Sequence, residues 1–119
     1  MKPLNPQTIA APFAAYSHGI EVSAGHRLIV TSGQLGLSVE GTIPDGAEAQ
    51  ARSCFDNIDA ILAEAGAGAS HVVRINAFVT DRAHMAGYLA CRDAWLAECA
   101  VKPASTLEIV SGFSRPEFV

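Results

Sequence analysis

The sequence has few charged and few aromatic residues. Only 17% of its 119 residues are Asp, Glu, Lys or Arg, and 7% are aromatic. Twelve acidic residues outnumber eight basic ones, which gives a formal net charge of −4, and no basic run occurs anywhere. Because phosphate contacts dominate the affinity of nucleic-acid-binding proteins, this balance disfavours a nucleic acid as the main partner.

Long apolar runs and paired cysteines are also missing. Residues 1–6 contain no apolar core of the signal-peptide type, and no stretch is long enough to span a bilayer. The three cysteines are odd in number and lack CxxC spacing, as is typical of free thiols in a reducing compartment. The sequence therefore predicts a cytoplasmic protein with no membrane contact.

Common catalytic and metal-binding motifs are absent as well. There is no phosphate-binding glycine loop before a helix, no HExxH and no GxSxG, and the four histidines have no ligand spacing. We therefore expect no metal site, and no residue receives a catalytic role from a motif.

What is present is a half-apolar chain of a length suited to one domain, residues 1–119. A domain of this size has a genuine core but little volume for deep internal pockets. We therefore expect any sizeable binding site to need a neighbouring subunit.

Periodicity predicts six elements and the start of a seventh. Apolar residues at spacings of three and four, from Ala51 to Ala65, predict a helix that ends at Gly66. Alternation predicts a strand over His71–Asp81, with both faces partly apolar. The other predictions are a hairpin of Ile20–Val22 with Arg27–Ser32, a helix over about Arg82–Ala100, a strand over Ala104–Val110, and the start of a strand at Glu117–Val119.

This order, β-β-α-β-α-β-(β), predicts an α+β domain whose mixed sheet carries both helices on one face. No third helix is available to cover the other face, so a closed homo-oligomer is the expected cover. Polar residues gather at two strand termini, Tyr16-Ser17-His18-Gly19 and Ser32-Gly33-Gln34. Such positions can present a site, or their glycines can simply permit turns.

The order of the elements and several local strings resemble the Rid family, the YjgF-type reactive-intermediate deaminases also known as L-PSP endoribonucleases. The resemblance covers nearly the whole chain, and no single string carries it alone. The matching strings are 15–19, 31–34, 50–66, 72–81 and Pro103-Ala104.

The resemblance implies a chorismate-mutase-like subunit in a homotrimer, with small-molecule clefts between subunits. It also implies hydrolysis of enamines or imines to ketones and ammonia without a metal or organic cofactor. Tyr16, Ser32 and Gly33 match positions that line the family cleft, and Gly33 would let backbone approach a ligand closely.

The chain departs from the deaminase pattern at three places. Ser105 replaces the arginine that follows Pro-Ala, Leu89 replaces a common asparagine, and the family's last strand, with its glutamate, lies outside the 119 residues. A serine supplies neither fixed charge nor a two-pronged donor. Among Arg74, Arg92 and Arg115, we expect Arg115 to be the substitute cation. The expected ligand-binding residues are therefore Tyr16, Ser32, Gly33, Ser105 and Arg115.

Two functions remain open on this reasoning. One is a deaminase-type hydrolase acting on carboxylate-bearing imines, and the other is a non-catalytic trimer that binds or senses small molecules. Endoribonuclease activity is less favoured because of the acidic charge balance.

Overall fold

A computed structural model describes all residues, 1–119, and places the chain in the α+β class, as predicted. Short 3-10 turns at Ala69–His71 and Arg82–His84 precede the third strand and the second helix. The main elements are β1 (Lys2–Leu4), β2 (Gly19–Glu21), α1 (Ala47–Glu64), β3 (Arg74–Val79), α2 (Met85–Trp95) and β4 (Ala104–Ile109).

The four strands form two small sheets rather than one mixed sheet. β1 and β2 pair antiparallel, whereas β3 and β4 pair parallel with Arg74 opposite Ala104. A parallel pair needs a crossover connection, and α2 provides it.

The predicted hairpin is wrong. β2 pairs with β1, and Arg27–Ser32 has no strand partner although its residues favour β-structure. Leu28 and Val30 are 83% and 80% exposed. The physical reason is that a strand is defined by its partner, which alternation within one segment does not specify.

The predicted strand start at Glu117–Val119 is also wrong. This segment is a turn, and Phe118 is buried with only 3% of its surface exposed. Its backbone meets β3 through a single bond, in which the Thr80 amide donates to the Val119 carbonyl at 2.9 Å. A single backbone hydrogen bond does not form a strand pair.

Helix α1 matches the prediction closely and begins four residues earlier, at Ala47. Ala51, Phe55 and Leu62 bury one stripe, whereas Arg52 pairs with Glu48 at 3.2 Å on the exposed side. The helix ends where expected, because Gly66 takes φ 68° and its amide donates to the Ala63 carbonyl.

Helix α2 is shorter than predicted at both ends. Asp81 accepts a hydrogen bond from the Ala83 amide at 2.8 Å and fixes the preceding 3-10 turn. After Trp95, the Lys102 ammonium donates to the carbonyls of Leu96 and Cys99 at 2.6 and 2.8 Å. These bonds satisfy carbonyls that an extended helix would have used.

The core lies between the two helices and one face of the β3–β4 sheet. Its buried apolar centre is Ala51, Phe55, Val79, Tyr88 and Cys91. Both helices therefore cover the same side of that sheet, as predicted. On the other side of β3, Arg74, Asn76 and Phe78 are exposed. None of the helices combines the length and the apolar character needed to cross a membrane.

Candidate functional site

A cavity of about 1110 Å³ is lined by the extended segment Arg27–Gly36, by α1 and by β3. The lining includes the apolar stripe of α1, with Phe55, Ile58 and Leu62, and all six residues of β3. Most of the residues that line the cavity are hydrophobic. A volume of this kind was not expected inside one subunit of this length.

The charged side chains of the cavity wall are all basic, although the chain as a whole is acidic. Arg27 donates to the Ala65 carbonyl at 3.0 Å, at the carboxyl end of α1. Arg74 donates to Asn76 at 2.9 Å and to Thr106 at 2.5 Å. No Asp or Glu lines the wall. The cavity therefore favours anionic groups at the end where β3 begins.

Ser32 and Gly33 belong to this wall. A side-chain carbon at Gly33 would meet no atom within 4 Å, so the backbone there is open to a ligand. The neighbouring Gln34 carbonyl accepts a hydrogen bond from the Cys54 thiol at 3.3 Å, which ties the segment to α1.

Tyr16 and Ser105 lie outside the cavity wall, on two segments that are joined to each other. The buried Ser17 donates its amide to the Pro103 carbonyl at 3.0 Å and its hydroxyl to the Lys102 carbonyl at 2.6 Å. Pro103 directly precedes β4, and Ser105 is the second residue of that strand. The two bonds of Ser17 therefore hold the neighbouring Tyr16 beside the start of β4. Ser105 is half-buried and stands opposite Ile75 in the strand register.

The three candidate cations have different environments. Arg92 is buried, with 3% exposure, and donates twice to the Asp93 carboxylate at 3.0 and 2.8 Å. Arg74 bonds to neutral side chains on the exposed sheet face. Arg115 is exposed, and its guanidinium carbon lies 5.8 Å from the centre of the Phe118 ring, with no carboxylate partner. Arg115 therefore keeps the most donors available for an anion.

Gln50 is a buried polar side chain with three hydrogen bonds that sequence reasoning did not single out. Its carboxamide donates to the carbonyls of Pro44 and Glu117 at 3.0 and 2.8 Å and accepts from the Val119 amide at 3.0 Å. It is buried, with 7% exposure. The sequence did contain a signal for a buried Gln50, because it lies four residues before Cys54 and eight before Ile58 and so falls on the apolar stripe of the predicted helix.

Cys54 and Cys91 are not activated as nucleophiles. Burial, together with the nearby Cys91, raises the pKa of the Cys54 thiol to about 11. Burial also raises the pKa of Cys91, and Cys99 is buried as well. Because the thiolate is the reactive form, the raised pKa values keep Cys54 and Cys91 in the unreactive thiol form.

Comparison with known proteins identifies the family. The model of the endoribonuclease L-PSP family matches residues 7–116. A 2-iminobutanoate/2-iminopropanoate deaminase of Escherichia coli is 30% identical over 98 residues, which are 82% of this chain and 74% of that protein. A RutC family protein of Aquifex aeolicus is 29% identical over 105 residues, 87% of this chain and 82% of that one.

The fold agrees with a solved structure. The Rid-family protein YyfB of Yersinia pestis, a protein of unknown function, superposes with a TM-score of 0.84 at 24% identity. The match covers 99% of this chain and 91% of that one. The sequence match, the relatives and the shared fold together show that this chain is a member of the endoribonuclease L-PSP family, also called the Rid or YjgF family.

Proposed function

We propose that the chain forms a homotrimer that binds small carboxylate-bearing imines in clefts between subunits and hydrolyses them to ketones and ammonia. The observation that carries the proposal is the double hydrogen bond from Ser17 to residues 102 and 103, which holds Tyr16 beside the strand of Ser105. The 30% identity to a protein named as an imine deaminase supports the same reading.

Imine hydrolysis depends more on the orientation of the substrate and the attacking water than on a strong acid or base. A water oxygen attacks the imine carbon while the nitrogen gains a proton, and the C–N bond of the resulting adduct then breaks to release ammonia and form the ketone. Hydroxyl groups at Tyr16, Ser32 and Ser105 and the open backbone at Gly33 are proposed to orient the substrate and the water. Arg115 is proposed to pair with the substrate carboxylate.

The proposed assembly places the exposed outer face of β3 in contact with neighbouring subunits. Phe78, the second-last residue of β3, is 46% exposed on that face, and a large exposed apolar side chain of this kind is typical of a contact surface. A trimer would cover it. Sedimentation velocity tests this point directly, and a stable monomer of the unmodified chain would contradict both the assembly and the intersubunit cleft.

The test of activity is the hydrolysis rate of freshly generated 2-iminopropanoate with the no-protein rate as baseline. The unmodified chain is expected to accelerate the reaction, and Tyr16→Phe to reduce the acceleration. Ser105→Arg is expected to raise it by up to roughly two decades, because a charge-assisted pair contributes about 1.5–3 kcal/mol. Ser111→Arg, which adds the same charge to the turn after β4, is the matched control and is expected to change little.

A second candidate, a trimer that binds the same ligands without turnover, is favoured by Ser105 itself, which lacks the charge of the family arginine. A baseline hydrolysis rate together with calorimetric binding of a 2-keto acid would select this candidate. A baseline rate with no binding would refute both candidates. Endoribonuclease activity would require RNA binding that weakens as salt rises, and a gel-shift assay at low salt tests that requirement.

A further inference from the structure

We propose that His18 is a positioning residue, which holds the ring of Tyr16 in the orientation that the site at the start of β4 requires. His18 then belongs to the proposed hydrolytic site, so its role rests on the proposed function. The proposal is carried by the free hydroxyl of Tyr16, by the two rings that flank it, and by the hydrogen bonds that anchor His18.

The hydroxyl group of Tyr16 takes part in none of the hydrogen bonds within the chain. The backbone around it is fixed on both sides, because the Tyr16 amide donates to the Ala14 carbonyl at 2.9 Å and Ser17 bonds to Lys102 and Pro103. A fixed backbone still leaves several staggered orientations open to the side chain. Contacts of the ring must therefore select the orientation of the hydroxyl.

Two rings flank the Tyr16 ring in edge-to-face geometry. The ring centres of Phe13 and His18 lie 5.7 and 5.6 Å from that of Tyr16, each with an interplanar angle of 81°. Such pairs are attractive beyond simple burial, because the positive edge of one ring meets the negative face of the other. Phe13 is 93% exposed, so little else in the chain holds its ring in place.

His18, by contrast, is anchored by two hydrogen bonds. Its ring nitrogen Nε2 lies 2.7 Å from the Ala10 carbonyl oxygen, and because a carbonyl oxygen only accepts, Nε2 is the donor. The His18 amide donates to Asn5 Oδ1 at 2.8 Å, next to the pairing of β1 with β2. Of the two flanking rings, the imidazole is therefore the one whose orientation hydrogen bonds fix.

The side chains along residues 16–18 divide these tasks. Ser17 is buried and donates its hydroxyl to the Lys102 carbonyl, which holds the backbone. The half-buried Tyr16 and the exposed His18 contact each other through their rings. A substitution at His18 can therefore release the Tyr16 ring while the bonds of Ser17 keep the backbone in place.

The first measurement follows the Tyr16 ring without any substrate. The full chain is labelled with 3-fluorotyrosine, and fluorine NMR then reports on two sites, since the chain has only the tyrosines Tyr16 and Tyr88. His18→Gln removes the flanking ring but keeps a donor for Ala10, and it is expected to move the Tyr16 resonance towards that of free fluorotyrosine. His18→Phe keeps a ring and should move it less. The resonance of the buried Tyr88 should stay in place, which reports that each variant is folded.

The second measurement is the hydrolysis of 2-iminopropanoate. His18→Gln is expected to lower kcat by about two- to tenfold, the range that corresponds to the loss of one edge-to-face pair, while KM changes by less than about twofold. His26→Gln is the matched control, because His26 is also exposed and its ring also bonds to a backbone carbonyl, that of Ser23 at 2.8 Å. It lies in neither aromatic pair of Tyr16, so the rate should not change.

The decisive comparison is the double variant. If His18 acts only through the Tyr16 hydroxyl, adding His18→Gln to Tyr16→Phe should cost no further activity. Losses that multiply, an unchanged rate in His18→Gln, or an unmoved Tyr16 resonance would each overturn the positioning role and leave the proposed function standing. A baseline rate in the unmodified chain would instead overturn the proposed function, and with it the role of His18.

Discussion

Replacing Gln50 with alanine should destabilise the domain far more than its position on an ordinary helical turn suggests. The change removes two hydrogen bonds to the carbonyls of Pro44 and Glu117 and one from the Val119 amide. Each contributes about 0.5–1.5 kcal/mol net, so the expected loss in the free energy of unfolding is roughly 2–4 kcal/mol. For a domain of 119 residues this corresponds to roughly 10 °C in melting temperature.

Urea denaturation of Gln50→Ala and of Arg52→Ala, a neighbour on the same helix, measures the difference. Arg52 is exposed and pairs only with Glu48 at the surface, so its replacement should change stability by no more than about 1 kcal/mol. Hydrogen exchange should also accelerate at the Val119 amide. Equal, small effects of the two substitutions would refute the idea that Gln50 anchors the C-terminal segment to α1.

Three further predictions follow from the packing and the pKa values. Gly36→Ala should lower the free energy of unfolding by about 1–3 kcal/mol in thermal unfolding, because its added carbon would lie 2.7 Å from Cβ and 2.8 Å from Cα of Gln50. Gly33→Ala, whose added carbon meets no atom within 4 Å, should change the stability very little. A larger loss for Gly33→Ala than for Gly36→Ala would contradict the packing. The free energy of unfolding should fall as pH rises from 9.0 to about 11, because burial raises the pKa of Cys54 and the thiol of the unfolded chain loses its proton first. Urea titrations at several pH values should show a smaller fall in Cys54→Ala, and an equal fall would count against this assignment to Cys54. Phe78→Glu should dissociate the proposed trimer in sedimentation velocity while Glu108→Gln does not, and a trimer that survives Phe78→Glu would exclude this face as the contact.

Local elements were predictable where one segment contains the whole signal. The apolar spacing of Ala51, Phe55 and Leu62 reports a buried stripe, and Gly66 reports the end of α1, because both depend on residues within a few positions of each other. The alternation over His71–Asp81 likewise predicted β3, with both faces partly apolar. The structure makes the face of Ile75, Ala77 and Val79 the more buried one.

Pairing was not predictable in the same way. Arg27–Ser32 has strong β-propensity, yet β2 takes Lys2–Leu4 as its partner instead. Phe118 has the sequence pattern of a strand start but packs into the core behind a turn. Both errors arise because strand formation depends on a partner far away in the chain.

The candidate site shows the same division. Strings around Tyr16, Ser32 and Ser105 carried the family resemblance, and the family membership is confirmed. The roles of these residues and of Arg115 in ligand binding stay predictions. The cavity, its wholly basic charged lining and the triple anchoring by Gln50 involve segments up to 69 residues apart, so no local pattern records them.

The sequence by itself determined the α+β class, the order α1, β3, α2 and β4, the face that α1 buries and the family. It did so because periodicity and turn residues act over one or two helical turns. Only the tertiary structure decided which strands pair, that Arg92 is buried against Asp93, and that Gln50 joins α1 to the segment of Glu117 and Val119. These features depend on the relative placement of distant segments, which the burial of apolar surface as a whole selects.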